Sequence, residues 1–169
     1  RYFELLKKAG IKTHYVSADI EKARMEVLPA KVFGNGIEVI CRLRATGSFI
    51  RRYGDYIKDG DELPGGYVEI TIKDDERGDP LITREGLEAL GIMSGELFDS
   101  MKEQTLRITK IVAQELKSMG LELWDIKLEF GYNDGEIILI DEIASGNMRV
   151  YRDGAMLPPE ELTRIILSA

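Results

Sequence analysis

Residues 121–143 read Leu-Glu-Leu-Trp-Asp-Ile-Lys-Leu-Glu-Phe-Gly-Tyr-Asn-Asp-Gly-Glu-Ile-Ile-Leu-Ile-Asp-Glu-Ile. From Leu123 to Phe130 the pattern has period two. Asp125, Lys127 and Glu129 fall on one side of an extended chain, and Ile126, Leu128 and Phe130 on the other. Asn133-Asp134-Gly135 is turn chemistry, because these residues tolerate a positive φ that most side chains avoid. The segment is therefore expected to form an antiparallel hairpin of Leu121–Tyr132 and Glu136–Ile143. With a three-residue loop, Tyr132 pairs with Glu136 and Lys127 lies opposite Asp141. Three carboxylates, Asp125, Glu129 and Asp141, then surround one lysine on a single sheet face. Hard oxygen donors at that density suit Mg²⁺, which combines a few carboxylates with phosphate oxygens. Spacing alone favours the wet face of an ordinary hairpin, where alternating charges are routine. Against that, Ile137–Ile140 is uniformly apolar, so Asp141-Glu142 interrupts a strand that reads as buried on both faces, and buried carboxylates need partners.

Upstream of this hairpin, Glu96–Met119 is the clearest helix. Leu97, Met101, Ile108, Ile111, Val112, Leu116 and Met119 form one stripe, with Ser94 as N-cap and Gly120 beyond the end. Further back, Ile11–Val16, Met25–Phe33, Ile37–Ala45 and Tyr67–Lys73 read as strands. Gly34-Asn35-Gly36 reads as a hairpin-type turn, and Gly47-Ser48 opens a helical turn over Phe49–Tyr53. Pro158-Pro159-Glu160-Glu161 starts a last helix with Leu162, Ile165 and Ile166 on one face. Arg1–Ala9 has helical spacing and stops at Gly10. It lacks both an N-cap and an initiating methionine, so the natural protein is expected to continue upstream. Antiparallel hairpins with segregated helices make the fold class α+β.

The 169 residues suit one domain, or a large piece of one. With 23 Lys+Arg against 30 Asp+Glu the net charge is −7, which argues against a nucleic-acid footprint. No apolar run approaches the length of a membrane span. The single Cys41 cannot form an internal disulfide, and with His14 as the only histidine no Cys/His zinc set can be assembled. A reducing cytoplasm is the default expectation.

Other constellations carry weaker signals. In Arg42-x-Arg44-x-x-Gly47-Ser48, two arginines share a strand face running into a glycine and a serine. Backbone N–H groups, the Ser48 hydroxyl and a guanidinium can cradle a phosphate, although Gly-Ser before a helical turn is more often just a cap. No P-loop string is present. Arg149 and Arg152 follow the polar loop Ala144-Ser145-Gly146-Asn147. Lys73 and Asp79 bracket the acidic loop Asp74–Gly78, which by composition is a solvated turn.

In order along the chain, these residues resemble the SAICAR synthetase family. The carriers are Phe3-Glu4-Leu5-Leu6 with Gly10-Ile11-x-Thr13-His14, Arg42 with Gly47-Ser48 and Arg52-x-Gly54, and Lys73-Asp74-Asp75-Glu76-x-Gly78-Asp79-Pro80. Asp125-x-Lys127-Leu128-Glu129-Phe130-Gly131 with Asp134-Gly135-Glu136 and Asp141-Glu142 completes the set. The resemblance covers nearly the whole chain. It implies an ATP-dependent ligase of purine biosynthesis that phosphorylates the carboxylate of carboxyaminoimidazole ribonucleotide. The amine of L-aspartate then attacks the acyl phosphate. It implies Glu129 and Asp141 as Mg²⁺ ligands, with Asp125 and Lys127 as the catalytic pair. Arg42, Ser48 and Arg149 would hold the ribonucleotide phosphate or its surroundings, Lys73 and Asp79 would face the nucleotide, and Arg164 would be a further substrate-binding arginine. It further implies an ATP site between two lobes: residues 1–40 as the remainder of an N-terminal lobe and hinge, and 41–169 as the substrate- and metal-binding lobe. The partners it implies are these small molecules, with no nucleic acid and no membrane; self-association stays open.

Three departures from the family pattern stand out. The family's N-terminal lysine- and glycine-bearing hairpin has no counterpart here. Leu43 replaces an asparagine. Ala144-Ser145-Gly146 replaces a Ser-Pro-Asp loop near the amino-acid end of the site, which bears on L-aspartate. The alternatives are a relative using another amine or carboxylate, or a phosphometabolite-binding module without catalysis.

Overall fold

The computed structural model describes residues 1–169. Helix α1 (Tyr2–Lys8) leads to a separate two-stranded ribbon of β1 (Tyr15–Asp19) and β2 (Arg24–Val27). There follow β3 (Lys31–Val32), β4 (Ile37–Arg44), α2 (Ser48–Tyr53), β5 (Glu62–Ile72), α3 (Arg84–Ala89) and α4 (Gly95–Ser118). The chain ends with β6 (Glu122–Asn133), β7 (Glu136–Ile140), β8 (Met148–Arg152), β9 (Ala155–Met156) and α5 (Pro159–Ser168). One seven-stranded sheet runs β5-β4-β6-β8-β9, with β3 and β7 also paired to β6, and every pairing is antiparallel. The α+β class is borne out.

Strand alternation gives this sheet two different faces. Val39 pairs with Leu128 and with Ile70, and Cys41 with Ile126, forming an apolar layer. Helix α4 belongs to the same core through Met101, Ile108, Val112 and Leu116, all fully buried. Its start is as the sequence suggested, the Ser94 hydroxyl accepting from the Leu97 N–H at 3.3 Å. A single cluster of 26 buried apolar residues extends from Tyr2 to Ile166, so α1 and α5 share one core with the sheet. The opposite layer carries Glu38 across from Glu129, Ile40 across from Lys127, and Arg42 across from Asp125, which in turn faces Arg149.

Several expectations are corrected. The β6–β7 loop has two residues, not three: Asn133 pairs with Glu136, and Asp134 and Gly135 take φ of 47° and 87°. Positive φ at both central positions gives the turn twist that suits a two-residue hairpin. Tyr132 therefore pairs with Ile137, and Lys127 does not lie opposite Asp141. Strand β7 stops at Ile140 because Asp141 adopts φ 60°, and Asp141 and Glu142 are exposed rather than buried. The strand expected over Met25–Phe33 is split at Leu28-Pro29-Ala30, where proline offers no N–H. Gly34-Asn35-Gly36 is not a hairpin, since β3 pairs with β6 instead of folding back on β4. Ile11 packs in the core ahead of β1. Helix α3 and the β8–β9 hairpin were not anticipated, although Asp153-Gly154 (φ 50° and 80°) repeats the same turn chemistry.

The shared core bears on stability. Tyr2 is buried, its hydroxyl has no hydrogen-bond partner, and burial with the nearby Glu115 pushes its pKa up from 10.0 to about 12. The folded protein thus holds this proton more tightly than the unfolded chain does. That contribution is complete below pH 10 and is lost as pH rises through 12. Tyr2→Phe removes an unpaired buried group and is expected to leave stability unchanged or raise it by about 1 kcal/mol at pH 7. It should also flatten the alkaline decline. Melting curves at neutral pH and across the alkaline range check both effects, and an unaltered decline refutes the assignment.

Candidate functional site

The polar face of the sheet holds two charged clusters side by side. The first is built on Arg42, whose side chain is buried on β4. Its Nε donates to Glu69 Oε1 at 3.0 Å, Nη2 to Glu69 Oε1 at 2.6 Å and Ser48 Oγ at 2.8 Å, and Nη1 to Asp125 Oδ2 at 2.6 Å and the Thr46 carbonyl at 3.2 Å. A guanidinium has five N–H donors, and all five are engaged within the protein. Asp125 Oδ2 also accepts from Arg149 Nη1 at 2.5 Å, and Glu69 Oε2 from Arg52 Nη2 at 2.5 Å. Three cations against two buried carboxylates leave one net positive charge. Burial pushes the Asp125 carboxyl above its ordinary range, opposed by Arg149 and Arg42.

Arg149 is the cation of this cluster that faces outward, with its side chain 41% exposed and one N–H engaged. It lies over Gly47, where a Cβ would come within 2.7 Å of Arg149 Nη1. Gly47 takes φ 58° and ψ −128° at the start of α2, so the backbone favours glycine there, and a side chain would also push the Arg149 guanidinium aside. Ile40, Arg42, Ser48, Asp125, Lys127, Gly146, Asn147, Met148 and Arg149 line a cavity of about 310 Å³. The Ser48 oxygen accepts from Arg42, which leaves its hydroxyl proton free to donate into that space. A larger cleft of about 550 Å³ beside Arg44, Leu63, Lys117 and Tyr151 contains none of the predicted site residues.

The second cluster lies further along the same strands. Lys127 Nζ bonds Glu38 Oε1 at 2.8 Å, Lys73 Nζ bonds Glu129 Oε1 at 2.8 Å, and Thr71 Oγ1 donates to Glu38 Oε2 at 3.2 Å. Glu38 and Glu129 are cross-strand neighbours, and the lysines offset a like-charge pair that would otherwise repel. Hydrogen bonds to Glu129 and Glu38 raise the pKa values of Lys73 and Lys127 respectively, and the field of Asp141 adds to the shift at Lys73. His14 also senses Asp141, but burial dominates and lowers its pKa.

Sequence reasoning is corrected or extended at several positions. Lys127 is held by Glu38 rather than by Asp141, and Asp125 belongs to the arginine cluster, away from Glu129. Glu38 and Glu69 were missed. Their alternation along β4 and β5 was visible, but their partners come from strands far away in sequence. Arg44 does not join Arg42: a bulge between them turns Arg44 toward Glu122, Glu62 and the Trp124 ring. Asp79 Oδ1 accepts from the Asp74 N–H at 2.8 Å and closes its own loop. Arg164 is exposed on α5 and forms no ion pair, and Arg152 is half-buried on β8.

No three His, Cys, Asp or Glu side chains converge, so the protein offers no complete metal cage. What it offers is sparser. Glu129 uses one oxygen on Lys73, and Asp141 is exposed with no side-chain partner. Carboxylate oxygens of this kind are chemically compatible with a Mg²⁺ ion whose remaining positions are filled by phosphate oxygens and water.

The family model described as SAICAR synthetase matches residues 1–161. The chain belongs to the SAICAR synthetase family. A phosphoribosylaminoimidazole-succinocarboxamide synthase of Clostridium tetani is 52% identical over 168 residues, spanning 98% of this chain and 74% of that protein. The enzyme of that name from Thermotoga maritima is 40% identical over 160 residues, spanning 94% and 67%. A solved SAICAR synthetase in complex with ADP superposes with a TM-score of 0.85 at 32% identity, covering 96% of this chain and 68% of the other. The SAICAR synthetase resemblance carried by the hairpin, the arginine segment and the acidic loop is thus borne out over almost the whole chain.

Proposed function

We infer that this chain carries out ATP-dependent formation of SAICAR, with the two clusters dividing the work. The observation that carries the division is the single net positive charge of the arginine cluster, presented by Arg149 and Ser48 at the cavity beside a row of lysines and carboxylates. The cavity would take the phosphate of carboxyaminoimidazole ribonucleotide, since a guanidinium and a hydroxyl match phosphate oxygens. Arg42, whose donors are all engaged within the protein, would hold Asp125 and Ser48 in place. The lysine row would receive ATP. Lys127 would steady the carboxylate as its oxygen attacks the terminal phosphorus and ADP departs. Lys73 and Asp79 would face the nucleotide, and Arg164 the rim. The amine of L-aspartate then attacks the acyl carbon, phosphate leaves and the amide forms. Mg²⁺, held by Glu129 and Asp141 together with phosphate oxygens, would neutralise charge on the phosphoryl group. No nucleophile–base pair is needed, because phosphoryl transfer depends chiefly on positioning and electrostatics.

In this reading residues 1–40 contribute to the ATP-side lobe and residues 41–169 form the substrate lobe. No helix is long and apolar enough to cross a membrane. A reducing cytoplasm suits the buried free thiol of Cys41. The amine has a second reading, a different amino acid, because Ala144-Ser145-Gly146 stands where the family has Ser-Pro-Asp and Ser145 is tied to Thr163 of α5 at 2.7 Å.

The direct test is ADP release by the full-length protein given Mg-ATP and carboxyaminoimidazole ribonucleotide, with and without L-aspartate. Turnover requiring aspartate is expected; ADP release only with another amine transfers the activity to the second reading. Arg149→Ala is expected to weaken ribonucleotide binding by about tenfold to a hundredfold while ATP binding stays unchanged. Calorimetric titration of each ligand checks this, and an equal loss of both refutes the division.

A further inference from the structure

Arg52 lies outside the cavity that the ribonucleotide would occupy, yet it is joined to it by an unbroken chain of ion pairs. Arg52 Nη2 meets Glu69 Oε2 at 2.5 Å, and Glu69 Oε1 meets Arg42 Nη2 at 2.6 Å. Arg42 Nη1 meets Asp125 Oδ2 at 2.6 Å, and that same oxygen meets Arg149 Nη1 at 2.5 Å. The three inner members are almost wholly buried, while Arg52 and Arg149 stand at the two ends with side chains 29% and 41% exposed. The charges alternate along the chain, so each member is oriented by neighbours of opposite sign. We propose that Arg52 is a positioning residue for ribonucleotide binding, acting through Glu69, Arg42 and Asp125 on the guanidinium of Arg149.

The physical argument is one of competition for shared acceptors. Arg42 supplies two hydrogen bonds to Glu69 Oε1, and Arg52 occupies the other oxygen of the same carboxylate. Without Arg52, Glu69 Oε2 is left unpaired in a site where its side chain is 3% exposed, and a buried carboxylate with one bare oxygen draws more strongly on its remaining donor. Arg42 would be drawn toward Glu69 and away from Asp125. Asp125 Oδ2, which Arg42 and Arg149 share, would then hold Arg149 more tightly and turn it from the cavity. Arg52 also ties α2 to this chain. Its guanidinium lies 5.4 Å from the Tyr53 ring centre, and α2 is the element that begins with Ser48.

The inference rests on the placement of the ribonucleotide at Arg149, and the experiment separates the two. In the full-length enzyme, Arg52→Gln is expected to raise KM for carboxyaminoimidazole ribonucleotide about threefold to tenfold, with KM for ATP within about twofold of its starting value. Arg52→Lys, which restores the charge to Glu69, should recover most of the loss. In a double-mutant cycle with Arg149→Lys, the two effects on ribonucleotide affinity should be strongly non-additive, because both act on one chain of contacts. An unchanged KM, an equal rise for both substrates or strict additivity overturns the proposal. If Arg149→Ala leaves ribonucleotide binding intact, the placement of the ligand itself has failed. If Arg149→Ala weakens binding and Arg52→Gln does not, only the positioning role falls. Should Arg52→Gln melt too early to assay, Arg52→Met, which keeps the side-chain stem beside Tyr53 but not the charge, carries the same test, and an unchanged KM for the ribonucleotide in that variant overturns the proposal.

Discussion

Arg42→Ala is expected to destabilise the protein by about 3–5 kcal/mol, enough to remove binding of both substrates through unfolding. The alanine would leave Glu69 and Asp125 buried, with Arg52 and Arg149 as their only remaining cations, and would delete all five hydrogen bonds of the guanidinium. Glu69 Oε1 would be left without a donor and Asp125 would keep only Arg149, and baring buried carboxylate oxygens costs more than the intact contacts contribute. Arg42→Lys should be milder, since an ammonium reaches some of the same acceptors, but it cannot reproduce the planar fork. Chemical denaturation of the variants checks the ordering. A stable Arg42→Ala protein with selectively weakened ribonucleotide affinity would instead make Arg42 a direct ligand contact.

Asp141→Asn is expected to do the reverse. Asp141 is exposed and has no side-chain partner, so stability should change by less than about 0.5 kcal/mol. Asparagine also accepts the φ of 60° found there, which alanine would adopt only at a cost in strain. Mg²⁺-dependent nucleotide affinity, by contrast, should fall about a hundredfold with the loss of one of two carboxylate ligands. Nucleotide binding measured against Mg²⁺ concentration reads this directly, and an unaltered Mg²⁺ dependence refutes the metal assignment. Taken as a pair, the two substitutions separate the residue that builds the site from the residue that serves it.

Features set by local chemistry were legible in the sequence. Helix α4 announces itself through Ser94, its apolar stripe and Gly120, and α5 through Pro158-Pro159-Glu160-Glu161. The charged face of β6 is plain from its alternation, and the ordered motifs together were enough to indicate the family. What stayed hidden depends on contacts between distant segments. Glu69 is 27 residues from Arg42, and Asp125 is 83 residues away. No local pattern marks them as partners, so the sequence does not reveal that the five donors of Arg42 are taken up by Glu69, Asp125, Ser48 and the Thr46 carbonyl. In the same way, Asn133-Asp134-Gly135 promised a turn without saying whether two residues or three lie outside the ladder. That one-residue ambiguity put Lys127 opposite Asp141 in the expected pairing, while its actual partner Glu38 comes from β4, on the other side of β6.

The Asp134-Gly135 turn also has a consequence for how this protein can change over generations. Because side chains alternate between the two faces of a strand, one residue inserted or deleted in the turn would slide β7 past β6. Ile137 and Leu139 would then exchange faces with Ile138, so three buried side chains would lose their present packing, and the departure point of Asp141 would move away from Glu129. Substitutions in the turn that keep its length and its positive φ should be well tolerated there, while a shift of a single codon should not. In a library of variants of this hairpin, length is expected to be constrained more tightly than the identity of any turn residue.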